Sequence, residues 1–145
     1  MESLGYGSLE KELMKMKKLN NPEFRIMIQN LLCAEEHTVD MLSTAEKDIG
    51  GILISLVNTK ALRNELLDFP EEKDRNKWCL VKHLLLAEYH ALELINSNTE
   101  EKYLGTYKVI KDLLDNAINN EWNVKCKVCK DDLIVNRLLK KFKGR

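Results

Sequence analysis

LCAEEHTVDML (residues 32–42) and LLAEYHALELI (residues 85–95) repeat one line of sequence at an offset of 53 residues. Leu32/Leu85, Ala34/Ala87, Glu35/Glu88 and His37/His90 are identical, while Val39/Leu92, Asp40/Glu93, Met41/Leu94 and Leu42/Ile95 are conservative. In both copies apolar residues recur every three to four positions, the spacing of a helix face. Both copies also follow a similar start. Asn21-Pro22-Glu23 offers an N-cap, a proline at the first helical position and a first-turn acid, and Pro70 precedes Glu71, Glu72 and Asp74. Matched helices behind matched starts are what a duplicated αα-hairpin would produce, and short connections favour antiparallel neighbours. Shared packing demands on two core helices would give the same eleven-residue likeness, so both origins stay open.

Helical signals continue on either side. Ser8 can cap a segment to about Leu19, with Leu9, Leu13 and Met16 on one side. From Pro22 the stripe is Phe24, Met27/Ile28, Leu31, Glu35, Thr38, Leu42 and Ala45, and Gly50-Gly51 is expected to break or bend it. A segment from Ile52 to Phe69 follows, ended by Phe69-Pro70 because a residue before proline disfavours the helical region. The next helix runs through Trp78, Val81, Leu84/Leu85, Glu88, Leu92 and Ile95 to about Asn96. Thr99 can cap a fifth helix over roughly 100–119, and Asp131 or Asp132 can start a last one carrying Leu133, Ile134, Leu138 and Phe142. No strand is convincing; Val124–Val128 alternates weakly. The expectation is an all-α, single-domain bundle of five or six helices over residues 1–145. Residues 8–120 would form the main bundle, and 121–145 a C-x-x-C knuckle with a basic C-terminal helix.

A chain of 145 residues is long enough to bury a real core. Its 44% hydrophobic content and zero formal charge are not those of a disordered segment. Zero net charge also provides no global field toward nucleic acid or a membrane. The balance hides a split: residues 121–145 hold eight basic and three acidic residues, and the other 120 hold 15 basic and 20 acidic. A basic end on an acidic body could fold back on it or meet an anionic partner. Arg137, Lys140, Lys141, Lys143 and Arg145 could touch phosphates, but no recognition-helix pattern or aromatic interleaving supports sequence reading. A second copy or another protein chain is the partner class left open. No stretch has the apolar length of a membrane span, and MESLGYGSLEKE lacks the marks of a signal peptide. A cytosolic location is expected, since a C-x-x-C suits thiols or a metal better than a disulfide framework. There is no Gly-rich phosphate loop and no G-x-S-x-G, so no nucleotide or organic cofactor is expected.

Glu35 and Glu88 fall inside their apolar stripes, where a carboxylate must be paired, hydrogen-bonded, protonated or metal-bound. Arg25, Arg63, Arg75 and Tyr103 are the candidate partners on neighbouring helices. The histidines occupy a second stripe. Cys33, His37 and Asp40 follow i, i+4, i+7, and Cys79, His83, His90 and Glu93 follow i, i+4, i+11, i+14. Two facing helices that each supply imidazole and carboxylate could hold a Zn, Fe or Mn ion in a bundle core. The plainer reading is solvated i, i+3 pairs, His37 with Asp40 and His90 with Glu93. A-E-E-H and A-E-Y-H resemble fragments of the ferritin-like and rubrerythrin-like di-iron bundles, which carry E-x-x-H. Ala34 and Ala87 stand where that motif needs glutamate, so the family is not assigned.

Cys126-Lys127-Val128-Cys129 is half of a zinc knuckle: both thiolates could turn to one tetrahedral ion, with flanking lysines favouring the thiolate. Cys79 with His83, or Cys33 with His37, could complete a Cys₃His site. Two functions are therefore carried forward. One is a small metal-binding helical protein with ligands among His37, Asp40, His83, His90, Glu93, Cys126 and Cys129. The other is a non-enzymatic interaction or assembly module.

Overall fold

Asn21 opens the first long helix as expected: its Oδ1 accepts a hydrogen bond from the Phe24 backbone N–H at 3.1 Å, and Pro22 takes the first helical position. The computed structural model describes residues 16–69, 71–97, 101–122 and 124–127. Among these, a 3₁₀ turn at Met16–Asn20 precedes helices α1 (Pro22–Thr44), α2 (Ile49–Leu67), α3 (Glu72–Ser97) and α4 (Glu101–Asn119). No described residue lies in a strand, and no described helix is long and apolar enough to cross a membrane.

The bundle has four α-helices among the described residues, which corrects the expectation of five or six. Where a helix ending near Leu19 was expected, the described part is only the 3₁₀ turn. The Asn21 N–H closes on the Lys18 carbonyl at 3.1 Å, and a residue preceding proline resists continuing an α-helix. Ser8, Leu9, Leu13, Thr99 and the expected last helix from Asp131 or Asp132 lie outside the described residues. Gly50-Gly51 is a second correction. The glycines sit inside the first turn of α2 with negative φ, and the chain reverses instead at Ala45–Asp48, where Asp48 takes the left-handed conformation (φ 59°). Asp68 (φ 38°) closes α2 the same way, its N–H bonding the Asn64 carbonyl.

The helices form two αα-hairpins, α1 with α2 and α3 with α4, joined chiefly where α1 meets α3. Both second arms are 19 residues long. The largest apolar cluster lies between the hairpins: Met16 and Leu19 from the 3₁₀ turn, Ile28 and Leu32 from α1, Leu67 from α2, Trp78, Val81, Leu85 and Leu86 from α3, and Leu114, Ala117 and Ile118 from α4. Phe69 tilts against Trp78 with ring centroids 5.6 Å apart and closes the side of this cluster. Two lysines plug helix C-termini beside it. Lys18 Nζ donates to the Leu66 carbonyl of α2, and Lys77 Nζ donates to the Ile118 carbonyl at 3.1 Å and to that of Asn120. Each satisfies acceptors left open by a helix end and places positive charge at the negative pole of the dipole.

Candidate functional site

Arg25 of α1 is buried and holds three helices together. Its Nε and Nη2 donate to the two carboxylate oxygens of Glu88 on α3 at 2.9 and 2.6 Å, and Nη1 donates to Asp115 on α4 at 2.6 Å. Gln29, one turn on, donates to Glu88 at 2.8 Å and to the Leu85 carbonyl at 2.9 Å. The planar fork of arginine suits a bidentate carboxylate contact of this kind. Burial alone would lower the Arg25 pKa; the hydrogen bonds and charges of Glu88 and Asp115 outweigh it and raise it. For Asp115 burial alone would raise the carboxyl, but hydrogen bonding and charge from Arg25, then Lys111, hold it below the ordinary range.

The other repeated glutamate is held differently. Glu35 of α1 takes a bidentate contact from Arg63 of α2, Nε at 2.6 Å and Nη2 at 2.9 Å. The remaining terminal nitrogen of Arg63 reaches Asn64 Oδ1 at 3.0 Å, and its guanidinium carbon lies 5.3 Å from the Trp78 ring centre. Both glutamates are therefore arginine partners, as the expectation of a neighbouring helix's cation had it. The pairs are not equivalent. Glu35 is bound within its own hairpin, whereas Glu88 is bound across the two.

The seam between α1 and α3 gathers the chemistry-bearing side chains. Arg25, Gln29, Cys33 and Glu36 all look toward the stretch of α3 from Leu85 to Glu93. His90 Nε2 lies 3.4 Å from Glu36 and Nδ1 lies 3.5 Å from Glu93, both at the solvent edge. The two imidazole nitrogens point apart, so one ion on either nitrogen could draw in only one of these carboxylates. Cys33 is buried behind them; burial first, then the charges of Glu93 and Glu36, push its thiol up and away from the thiolate that metal or nucleophilic chemistry needs. Tyr89 is raised by its hydrogen bond to Glu93 and that carboxylate's charge.

The structure brings His90 and Glu93 together as expected but supplies Glu36 as the carboxylate across the seam, in place of Asp40. His37, Asp40 and His83 are exposed, and Cys79 and Cys126 are half-buried. Cys129 lies outside the described residues. Among the described residues no group of three or more His, Cys, Asp or Glu side chains is arranged to hold a metal ion. Sequence reasoning missed Glu36, Gln29 and Asp115. Arg25, Gln29, Cys33 and Glu36 follow i, i+4, i+8, i+11, a second face on α1 that the dominant apolar stripe conceals. Comparison with protein-family models, with curated proteins and with solved structures finds no match to this chain.

Truncating one partner of the buried pair leaves the other charge stranded. Glu88→Ala is expected to lower stability by about 3–5 kcal/mol, read as a drop in the urea midpoint. The double change Arg25→Met with Glu88→Leu recovers part of that loss, because it removes the stranded guanidinium but leaves Asp115 with Lys111 and Gln29 with the Leu85 carbonyl. A second outcome concerns acid. With a folded pKa below the unfolded one, Asp115 contributes stability fully above its unfolded value near ~3.9. The contribution is lost as pH falls through the folded value. Thermal melts between pH 7 and pH 2 should show the parent losing stability more steeply below about pH 4 than Asp115→Asn.

Proposed function

We propose that this protein is a non-enzymatic assembly module of the cytosol that pairs with a second copy of itself along the outer face of α2. One observation carries the reading: α2 has apolar residues on the side turned away from the bundle. Leu56 and Leu67 face inward and are buried, yet Ile54 is 62% exposed and Val57 48% exposed. A helix apolar on all sides is ordinarily covered on all sides. Gly50, Ile54, Val57 and Ala61 are spaced by four, three and four residues and are all exposed, which is the seam of a two-helix packing.

The glycines support an outside partner. Neither has positive φ, and a Cβ built on Gly50 or Gly51 meets nothing within 4 Å. Glycine in a helix costs roughly 0.5–1 kcal/mol relative to alanine, and nothing among the described residues requires it. Close approach of a second backbone would.

The seam is self-complementary in antiparallel register. Centred between Val57 and Asn58, a two-fold axis sets Ile54 against Ala61, large against small. It also sets Gly50 against the stem of Glu65, and Lys47 against Asp68 with opposite charge; all six residues are exposed. Sedimentation equilibrium across micromolar concentrations should give a reversible monomer–dimer mass. Ile54→Asp, an exposed change that leaves the helical circular dichroism intact, should hold the protein monomeric. A wild-type monomer at every concentration, or an unchanged dimer in Ile54→Asp, sinks the reading.

A second reading rests on the imidazole–carboxylate approach between His90 and Glu36. In it the protein holds a Zn, Fe or Mn ion with donors among His37, Asp40, His83, His90, Glu93, Cys126 and Cys129. Elemental analysis of protein purified without chelator or metal-affinity tag decides it. One equivalent of metal that falls away in His90→Ala supports an ion; metal-free protein ends it.

A further inference from the structure

A cleft of about 330 Å³ opens between α1, α3 and α4, a size that small-molecule sites ordinarily have. Arg25 and Gln29 of α1, Glu88 of α3 and Asp115 of α4 form its polar wall. Ile26, Leu92 and Tyr107 supply apolar surface. Gln29 has no exposed surface and so lies at the closed end, whereas Ile26 is half exposed and stands at the mouth.

The Gln29 amide is only half satisfied. Its Nε2 donates to the Leu85 carbonyl and to Glu88, while its Oε1, fully buried, has no hydrogen-bond partner among the described residues. Turning the amide over does not help, because the oxygen would then face a carbonyl and a carboxylate, both acceptors. An acceptor held out of water without a donor is costly, and buried polar atoms are nearly always paired. Arg25, one turn earlier on the same face, offers the complement. Its bonds to Glu88 and Asp115 engage three N–H groups, and a guanidinium carries five. The wall is also balanced in charge: Arg25 is offset by Glu88, and Lys111 pairs with Asp115 at 3.2 Å. A charged guest would bring a charge with no counterpart. A neutral guest with a donor and an acceptor side by side matches both unused groups.

We propose that this cleft binds a small neutral primary amide, its N–H on Gln29 Oε1, its carbonyl on a terminal N–H of Arg25 and its apolar body against Ile26, Leu92 and Tyr107. The unpaired acceptor selects against a ketone of the same shape, and the balanced wall selects against the matching carboxylate. Among the described residues none of α2 lines the cleft, so this inference stands apart from pairing through that helix.

Proton–nitrogen correlation NMR of the full chain, titrated with benzamide, tests it, with acetophenone and benzoate as the matched arms. The expected result is saturable benzamide binding that shifts the side-chain NH₂ resonances of Gln29. Acetophenone keeps the ring and the carbonyl but lacks the N–H, and its affinity should be roughly tenfold lower. Benzoate should bind no better than acetophenone. Ile26→Asp, an exposed change at the mouth that leaves the helical circular dichroism intact, should weaken benzamide binding, whereas Ile54→Asp on α2 should leave it unchanged. Absence of saturable benzamide binding overturns the proposal, as do shifts that bypass Gln29 or an unchanged affinity in Ile26→Asp. Equal binding of acetophenone would mean an apolar hollow only, and equal binding of benzoate a surface charge effect only; either also overturns it.

Discussion

The fork of Arg25 is the contact on which the arrangement of the helices depends. It lies where α1, α3 and α4 meet, and it binds a carboxylate on each of the other two helices. Apolar packing between α1 and α3 is tolerant of small rotations, because one leucine contact resembles the next. A bidentate ion pair is not tolerant, since a turn of α1 by one residue would leave a buried guanidinium facing hydrocarbon. Gln29 adds to this by tying the Leu85 carbonyl and Glu88 from the same face. The polar cluster thus contributes definition more than net stability: it selects one rotation of one hairpin on the other from the several that apolar burial alone would allow.

Helix character was legible along most of the described chain because apolar spacing, Asn21-Pro22 and the first-turn acids all point the same way. The number of helices was not. Met16–Leu19 has good helical composition, but the proline at 22 acts from outside the segment and tightens it into a 3₁₀ turn. Gly50-Gly51 misled for the opposite reason. Glycine permits a break without demanding one, and Asp48 supplied the left-handed residue that the reversal needed. Pairing of Glu35 and Glu88 with arginines could be read from their place in apolar stripes, since a buried carboxylate has few alternatives. Which arginine served which glutamate could not, because Arg63 and Arg25 are separated from their partners by 28 and 63 residues.

The likeness between residues 32–42 and 85–95 marked the two central helices correctly, yet the copies occupy different surroundings. α1 is flanked by α2 and crosses α3, so it buries two faces. One meets α2 and carries Glu35; the other meets α3 and carries Arg25, Gln29 and Cys33. α3 instead spends one face on α4 and part of another on α1. Hence, among the described residues, α2 and α3 stand on the two sides of α1 without a helix filling the space between them. Among the described residues, the same pattern covers α2 well on one side, where it meets α1.

The lysine plugs at Leu66 and at Ile118 and Asn120 lie at one end of the molecule, where α1 and α3 begin and α2 and α4 end. Most of the largest apolar cluster also lies toward that end, and the paired Asn20 and Asn119 side chains bridge it. Among the described residues, the opposite end, around Thr44 and Ile49, contributes the buried Leu42 but no member of that cluster. Resistance to local opening is therefore graded along the helix axes rather than shared evenly. At that end α1 and α2 stay joined through the four-residue reversal Ala45–Asp48, so a local opening there would carry the two helix ends together as one piece while the lysine-plugged base stays fixed.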